Sequence, residues 1–355
     1  MVVRGAPFSE SIHNLLFLLI FFVGMSTTSA TFVEAAAADI ARAVAILRAG
    51  GLVAFPTETV YGLGADASNA DAVKKVFAAK GRPHDHPLIV HLASSAQLSE
   101  WAHDVPAAAH TLAKEFWPGP LTLILQRAPH VSDFVTGAQD TVALRVPAHP
   151  LAHALLREFG GGVVGPSANR FGHVSATTAE HVRQEFGDAV DCVLDGGACD
   201  VGIESTIIDL SGAAPALLRP GLITAAQIEA ALGLALAAPH AHSPRAPGTL
   251  EKHYAPRTPV MLVESDVIDE LARSFARQGK RVAVLARNAY QPLMDKLVWL
   301  AAPASPTAYT HDLYANLRTL DAAGCDVMLV EAPPFASEWA AVRDRLARAA
   351  AGATP

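Results

Sequence analysis

Between residues 236 and 258 the chain loses all apolar rhythm. The stretch PHAHSPRAPGTLEKHYAPRT, Pro239 to Thr258, is dense in Pro and His and can continue neither a helix nor a central strand. It reads as a linker, and it forces the chain on either side to bury a core of its own. A length of 355 residues suits two such units, and a hydrophobic share of 51% against 17% charged gives each enough apolar side chains. The expected division is 37–235, the linker 236–258, and 259–348.

In the first unit, Ile40, Val44 and Leu47 recur at helical spacing, and Gly50-Gly51 ends that helix, which is expected to start near Asp39. Leu52–Phe55 reads as a buried strand, Pro56–Gly64 as a loop, and Asp71–Lys80 as a helix stopped by Pro83. Further strands are expected at Leu88–Leu92, Leu121–Leu125, Thr141–Val146, Cys192–Leu194, Thr206–Leu210 and Ala216–Leu218. Thr177 and Glu180 form a capping-box pattern for a helix ending near Phe186, and Thr224 with Gln227 caps another. Strands outnumber helices and cluster unevenly, which points to a twisted mixed sheet with helices packed on it. In the second unit, Val260–Val263, Val282–Leu285, Val298–Ala301 and Val327–Val330 are apolar strands mostly separated by helical stretches. That is the pattern of a smaller parallel, Rossmann-like α/β domain.

The first 36 residues are expected to lie outside the fold. Leu15–Gly24, LLFLLIFFVG, is too short to span a bilayer, and its flank offers only Arg4 against Glu10, a poor signal-peptide start. The expectation is a functional start at Met25, with cleavage near Ala30 as the rival reading. A net charge of −7 argues against nucleic-acid binding by bulk charge. Cys192, Cys199 and Cys325 form no Cys-x-x-Cys pair, so neither a disulfide framework nor a structural zinc site is expected, and no metal-ligating set is visible. The fit is to a cytoplasmic protein with no membrane association.

No Gly-x-x-x-x-Gly-Lys-Ser/Thr loop is present, and Gly62-Leu63-Gly64 follows an intervening Pro56–Tyr61, so the loose dinucleotide pattern there is a decoy. The polar motifs lie at strand ends instead. Phe55–Gly64 reads FPTETVYGLG. Lys80-Gly81-Arg82-Pro83 sets a point charge and a planar fork about a helix end, a natural pair for phosphates, although helix-dipole pairing alone would explain Lys80. Gly165-Pro166-Ser167-Ala168-Asn169 follows Val163-Val164, Gly202-Ile203-Glu204-Ser205-Thr206 precedes a strand, and Leu218-Arg219-Pro220-Gly221 ends one. Singly, each is compatible with an ordinary hydrated turn.

Together and in this order, over roughly residues 37–258, these motifs resemble the threonylcarbamoyl-AMP synthase family, whose catalytic unit is the YrdC-like domain. His253-Tyr254-Ala255-Pro256 and the α/β tail resemble its longer, two-domain branch. The resemblance implies that Lys80, Arg82, Ser167 and Asn169 form a polar tetrad around nucleotide phosphates and carbamate. It implies that Thr59, His91, Arg145 and Ser205 bind L-threonine, Arg145 taking the carboxylate. Thr141, Gly165, Ser175 and Arg219 would complete the contacts, and Tyr254 would reach over from the linker. His86 stands where the family usually has Asn, a nucleotide contact, and imidazole can also donate or accept a hydrogen bond.

The implied reaction joins L-threonine, bicarbonate or CO2, and ATP into threonylcarbamoyl-AMP and pyrophosphate, with Mg²⁺ held mainly by the nucleotide. A downstream tRNA threonylcarbamoyl transferase would consume the product, so tRNA is met only indirectly. Such chemistry needs positioning and charge rather than a covalent nucleophile, in keeping with the lack of a Ser-His-Asp set. The rival readings are an RNA- or nucleotide-binding module without catalysis, a scaffold acting through its tail, and a carbamoyltransferase maturation factor. The last would add Cys-x-x-Cys pairs that this chain lacks.

Overall fold

The computed structural model describes residues 27–240 and 243–351. Leu15–Gly24 and Met25, on which the expected start rests, lie outside the described residues. Nine strands form the first sheet: β1 (Val53–Phe55), β2 (Gly62–Asp66), β3 (Ile89–His91), β4 (Leu121–Gln126), β5 (Thr141–Arg145), β6 (Val163–Val164), β7 (Cys192–Val193), β8 (Thr206–Asp209) and β9 (Ala216–Arg219). Their order is β7-β1-β2-β6-β3-β5-β4-β8-β9. The pairs β1–β7, β3–β5 and β4–β8 are parallel and the rest antiparallel, so the sheet is mixed, as expected. Four parallel strands, β10 (Val260–Val263), β11 (Val282–Ala286), β12 (Leu297–Ala301) and β13 (Val327–Glu331), form the second sheet in the order β10-β13-β11-β12.

Three local expectations need correction. The loop after β1 ends at Tyr61, because Gly62–Asp66 is a strand paired antiparallel to β1. Its glycines look like loop residues, yet a Cβ at Gly62 would stand 3.0 Å from the Phe55 ring, so the missing side chain makes room for that ring across the pair. The helix near 180 is capped by Thr178, whose side chain accepts from the His181 N–H, one residue beyond Thr177. The helix expected to start near Asp39 runs Thr27–Arg48 and so begins well before it. The Thr224–Gln227 capping box forms as read. The helix Ala70–Lys80 is capped by Asn69 and closed by Gly81 in the left-handed region at φ 65°.

The two sheets share apolar packing. Val60, Val174 and Ile203 of the first unit join Tyr254 of the linker and Leu313, Tyr314, Leu317 and Leu346 of the second in one buried cluster. The helix Pro306–Ala322 approaches so closely that a Cβ on Gly202 would lie 2.2 Å from the His311 carbonyl oxygen. Gly202 also has φ +83°, so sterics and backbone both select glycine there. Among the described residues no helix is long and apolar enough to cross a membrane.

Candidate active site

The strand-end motifs converge on the face where β3, β5 and β9 end and β8 begins. Parallel pairing of β3 and β5 sets His91 beside Arg145, and β8 sets Thr206, hence the preceding Ser205, beside Leu121. Arg219 closes β9 opposite Ile207. All four polar side chains, His91, Arg145, Ser205 and Arg219, are buried. Folding here places several cations out of water, which is costly unless partners or a ligand compensate.

Lys80, at the end of its helix, donates to the backbone carbonyls of Ser167 and Asn169. It thereby ties the Gly165–Asn169 loop to the Ala70–Lys80 helix. Burial first, and then the Arg82 charge, push its ammonium well below the usual lysine range. Arg82 donates from Nη2 to the Pro87 carbonyl at 2.9 Å, and its guanidinium lies 5.9 Å from the Phe171 ring centre. Its Nε is buried without a hydrogen-bond partner, and burial lowers the guanidinium to about 10. Asn169 donates to the carbonyls of Arg170 and His173 while its Oδ1 has no partner. His91 is likewise open at Nδ1, and burial followed by the Arg145 charge lowers the imidazole to about 3, so it is neutral.

Arg145 is already engaged. It forms an ion pair with Glu58 at 2.7 Å, donates from Nη1 to Thr59 Oγ1 at 2.8 Å, and from Nε to the Gly119 carbonyl at 3.2 Å. Glu58 also accepts from the Ala148 N–H at 3.0 Å, and Thr59 shares a 2.8 Å hydrogen bond with Thr57. Ser205 bonds Thr122 at 2.7 Å and accepts from Arg219 Nη2 at 3.1 Å. Arg219 also reaches the Ser205 and Pro247 carbonyls.

The linker shuts this face. Tyr254, in the left-handed region at φ 58°, is buried and donates to the Gly248 carbonyl at 3.3 Å. Beneath it a cavity of about 40 Å³ remains, bounded by Thr59, Arg82, His91, Arg145, Gly165, Ser167, Glu204, Ser205 and Arg219 with His253 and Tyr254. That is room for only a few water molecules. Two larger cavities, of about 460 and 600 Å³, lie elsewhere along the seam between the units and contain none of Arg82, His91 or Arg219. Converging buried polar groups, not volume, locate the site.

Of the residues expected from the sequence, Thr59, Arg82, His91, Arg145, Gly165, Ser167, Ser205, Arg219 and Tyr254 line this cavity. Lys80, Asn169 and Ser175 stand behind its wall, Ser175 through a 2.6 Å hydrogen bond to Glu204. Thr141 and His86 lie outside it. Thr141 begins β5 opposite Gln126, at the far end from Arg145, and His86 packs 5.4 Å from the Phe171 ring. Glu58 and Glu204 fall within the strand-end motifs but are not among the residues expected in the site. Arg345 and Tyr314, which reach Glu204 from the second unit, carried no sequence signal at all.

A mixed sheet with buried cations and open hydrogen-bonding atoms at its strand ends, roofed by a linker from a second α/β unit, defines a fold of the YrdC-like class. Two family models match in tandem: Sua5/YciO/YrdC, described as Telomere recombination, over residues 45–221, and Threonylcarbamoyl-AMP synthase, C-terminal domain, over residues 223–351. The chain is 42% identical to threonylcarbamoyl-AMP synthase of Pyrococcus abyssi over 318 residues, covering 86% of this chain and 92% of that protein. It is 42% identical to the Bacillus subtilis enzyme of the same name, covering 88% and 93%. The crystal structure of P. abyssi Sua5 complexed with L-threonine superposes with a TM-score of 0.82 at 40% identity, covering 88% of this chain and 94% of that one. The chain belongs to the threonylcarbamoyl-AMP synthase family, in its two-domain form.

Proposed function

We infer that this chain condenses L-threonine, bicarbonate or CO2, and ATP into threonylcarbamoyl-AMP and pyrophosphate. The observation that carries the reading is the set of open, buried polar atoms, Arg82 Nε, His91 Nδ1 and Asn169 Oδ1, facing or flanking a cavity ringed by Arg145 and Arg219. Buried polar groups cost free energy when unpaired, so their clustering marks where a polar ligand completes them.

Threonine's amine adds to CO2 to give a carbamate with release of a proton. A carbamate oxygen then attacks the α-phosphorus of ATP, and the bond to the β-phosphate bridge breaks to release pyrophosphate. In this reading Arg82 and Lys80, with Ser167 and Asn169, hold the phosphates and the carbamate, and Arg219 and Tyr254 hold the nucleotide. Thr59, His91 and Ser205 hold threonine, whose carboxylate shares Arg145 with Glu58. The neutral imidazole of His91 suits a hydrogen bond to the threonine hydroxyl or carbamate better than a charge contact. Thr141, Gly165, Ser175 and His86 remain nucleotide contacts of the proposal, Ser175 acting through Glu204. The rate gain comes from fixed charges and orientation in a water-poor site. With the linker seated as it is, the cavity of about 40 Å³ is smaller than a nucleotide, and in this reading the linker lifts for ATP to enter and closes again for chemistry.

Among the described residues no three His, Cys, Asp or Glu side chains converge as a metal site would. Mg²⁺ would therefore arrive as part of the ATP substrate, on phosphate oxygens. We assign the catalytic unit to residues 37–235, the lid to 236–258 and the second domain to 259–348, in a nucleotidyltransferase of the cytoplasm, where ATP and the tRNA-modifying transferase that takes the product are found. The test is incubation of purified protein with ATP, threonine and bicarbonate followed by mass spectrometry. Threonylcarbamoyl-AMP is expected. Nucleotide binding with no adenylate formed would reduce the chain to a binding module.

A further inference from the structure

Glu204 lies between the two units and is held mostly from the second. Its carboxylate accepts from Arg345 Nε at 2.9 Å, from the Tyr314 hydroxyl at 2.8 Å and from Ser175 Oγ at 2.6 Å. Arg345, in the helix Ala340–Ala350, is 1% exposed and sits 141 residues from Glu204 in the chain. Burial alone would raise the Glu204 carboxyl, yet Arg345 and Arg219 hold it down at about 2, so it remains an anion. The same guanidinium lies 5.2 Å from the Tyr254 ring centre, and Tyr254 stacks on Tyr314 with centres 5.7 Å apart. Two of the groups Arg345 touches, Glu204 and Tyr254, line the cavity itself.

The grip on the linker continues one turn along that helix. Arg348 donates to the Leu250 carbonyl, and the His253 N–H donates to the Arg348 carbonyl at 3.3 Å. Asp344 holds both arginines, at 2.5 Å from Arg345 and 2.8 Å from Arg348. One face of a second-domain helix thus fastens the cavity wall and its roof together.

We propose that Arg345 is a positioning residue of the reaction, contributed by the second domain: it fixes the Glu204 wall and the Tyr254 roof, and the site is complete only while that domain is docked. This rests on the function proposed above. Glu204 in turn sits next to Ser205, whose carbonyl and hydroxyl set Arg219, so an undocked helix loosens two substrate-facing groups at once.

The test uses the full chain with Arg345→Met, which keeps length and apolar bulk but removes the charge. Two readouts are taken: proteolysis at the Lys252–His253 bond without ligand, read by mass spectrometry, and the KM and kcat of adenylate formation. Cleavage is expected to rise about tenfold and the KM for ATP about tenfold, with kcat within about threefold, because a fully buried charge pair and its ring contact are lost. A residue that merely stabilised the fold would lower the active fraction, and with it kcat, while leaving KM unchanged. Cleavage and KM within about twofold of the unsubstituted protein would overturn the proposal. If Arg345→Met does not fold, Arg348→Ala decides by the same readouts at about threefold, since it removes only a part-exposed contact to the linker. Ligand-free cleavage reports docking even if the unsubstituted protein makes no adenylate, so failure of the proposed function and failure of this inference give different results.

Discussion

The two sheets treat the carboxyl ends of their strands in opposite ways. In the nine-stranded sheet Arg145, Arg219 and His91 sit at strand carboxyl ends, with Ser205 beside them just before β8, and the site leaves Arg82 Nε, His91 Nδ1 and Asn169 Oδ1 unpartnered. In the four-stranded sheet the equivalent position is self-contained. Glu331, at the end of β13, accepts from the N–H groups of Arg287, Asn288 and Ala289 at 2.6, 2.7 and 3.2 Å, and Arg287 lies 3.5 Å away as its counter-ion. Apart from the Tyr309 hydroxyl, every unpartnered buried side-chain atom found among the described residues belongs to the first unit or to His253 of the linker. A parallel sheet end is a ligand site by topology only if its polar groups are left open, and the second sheet closes its own.

That contrast can be broken from either side. The largest expected effect on catalysis is Arg82→Ala, which removes a preorganised charge and should cost about 2–4 kcal/mol in kcat/KM. A value within twofold of the parent enzyme would remove Arg82 from the site. Glu331→Ala should instead lower the unfolding free energy by about 2–3 kcal/mol, since it strands three N–H groups and a guanidinium, while kcat stays close to that of the parent. Loss of kcat with unchanged stability would mean the second sheet end is functional after all.

Acid should separate the regions further. His91 and His253 are buried and neutral, each lowered to about 3 by burial first. Their unfolded forms take up a proton near pH 6.5, so this part of the stability is full above that pH. It falls as pH drops from about 6.5 toward 3, by about 1.4 kcal/mol per pH unit for each histidine. Glu204 adds a second loss below about pH 4.5, because its folded carboxyl stays charged down to about 2. Denaturation midpoints measured from pH 7 to 4 test this, and stability flat across pH 6.5–5 would contradict it. The smallest effect is expected for His86→Asn, within about twofold in kcat/KM, since this side chain lies outside the cavity lining. A large loss would show that the nucleotide contact has been rebuilt around the imidazole and that Asn cannot replace it.

Much of the site was legible because its residues are clustered in sequence at the ends of elements: Phe55–Gly64, Lys80–Arg82 and Gly165–Asn169 place polar groups where an apolar run stops, and Gly202–Thr206 where one starts. The paired glycines of β2 look like loop residues in the sequence because they serve the Phe55 ring on the neighbouring strand, a reason visible only once the strands pair. The cap at Thr178 differs from the expected Thr177 because two adjacent threonines offer the same hydroxyl, and only backbone geometry chooses between them. Arg345 and Tyr314 were illegible for a deeper reason. Each looks like an ordinary residue of an amphipathic helix, and its partner Glu204 lies more than a hundred residues away in another unit. Local periodicity carries no information about which helix docks on which sheet. Nor does it reveal that Arg145 is already paired with Glu58, since that depends on the register of β3 and β5 against the Pro56–Tyr61 turn.

The central claim is that these open polar groups bring threonine, a carbamate carbon and ATP together in one closed site. Pyrophosphate release from ATP, measured with threonine and bicarbonate each supplied or withheld, tests it most directly. Release is expected only when both are present, with threonylcarbamoyl-AMP formed in equal amount; release at the same rate without threonine would contradict this.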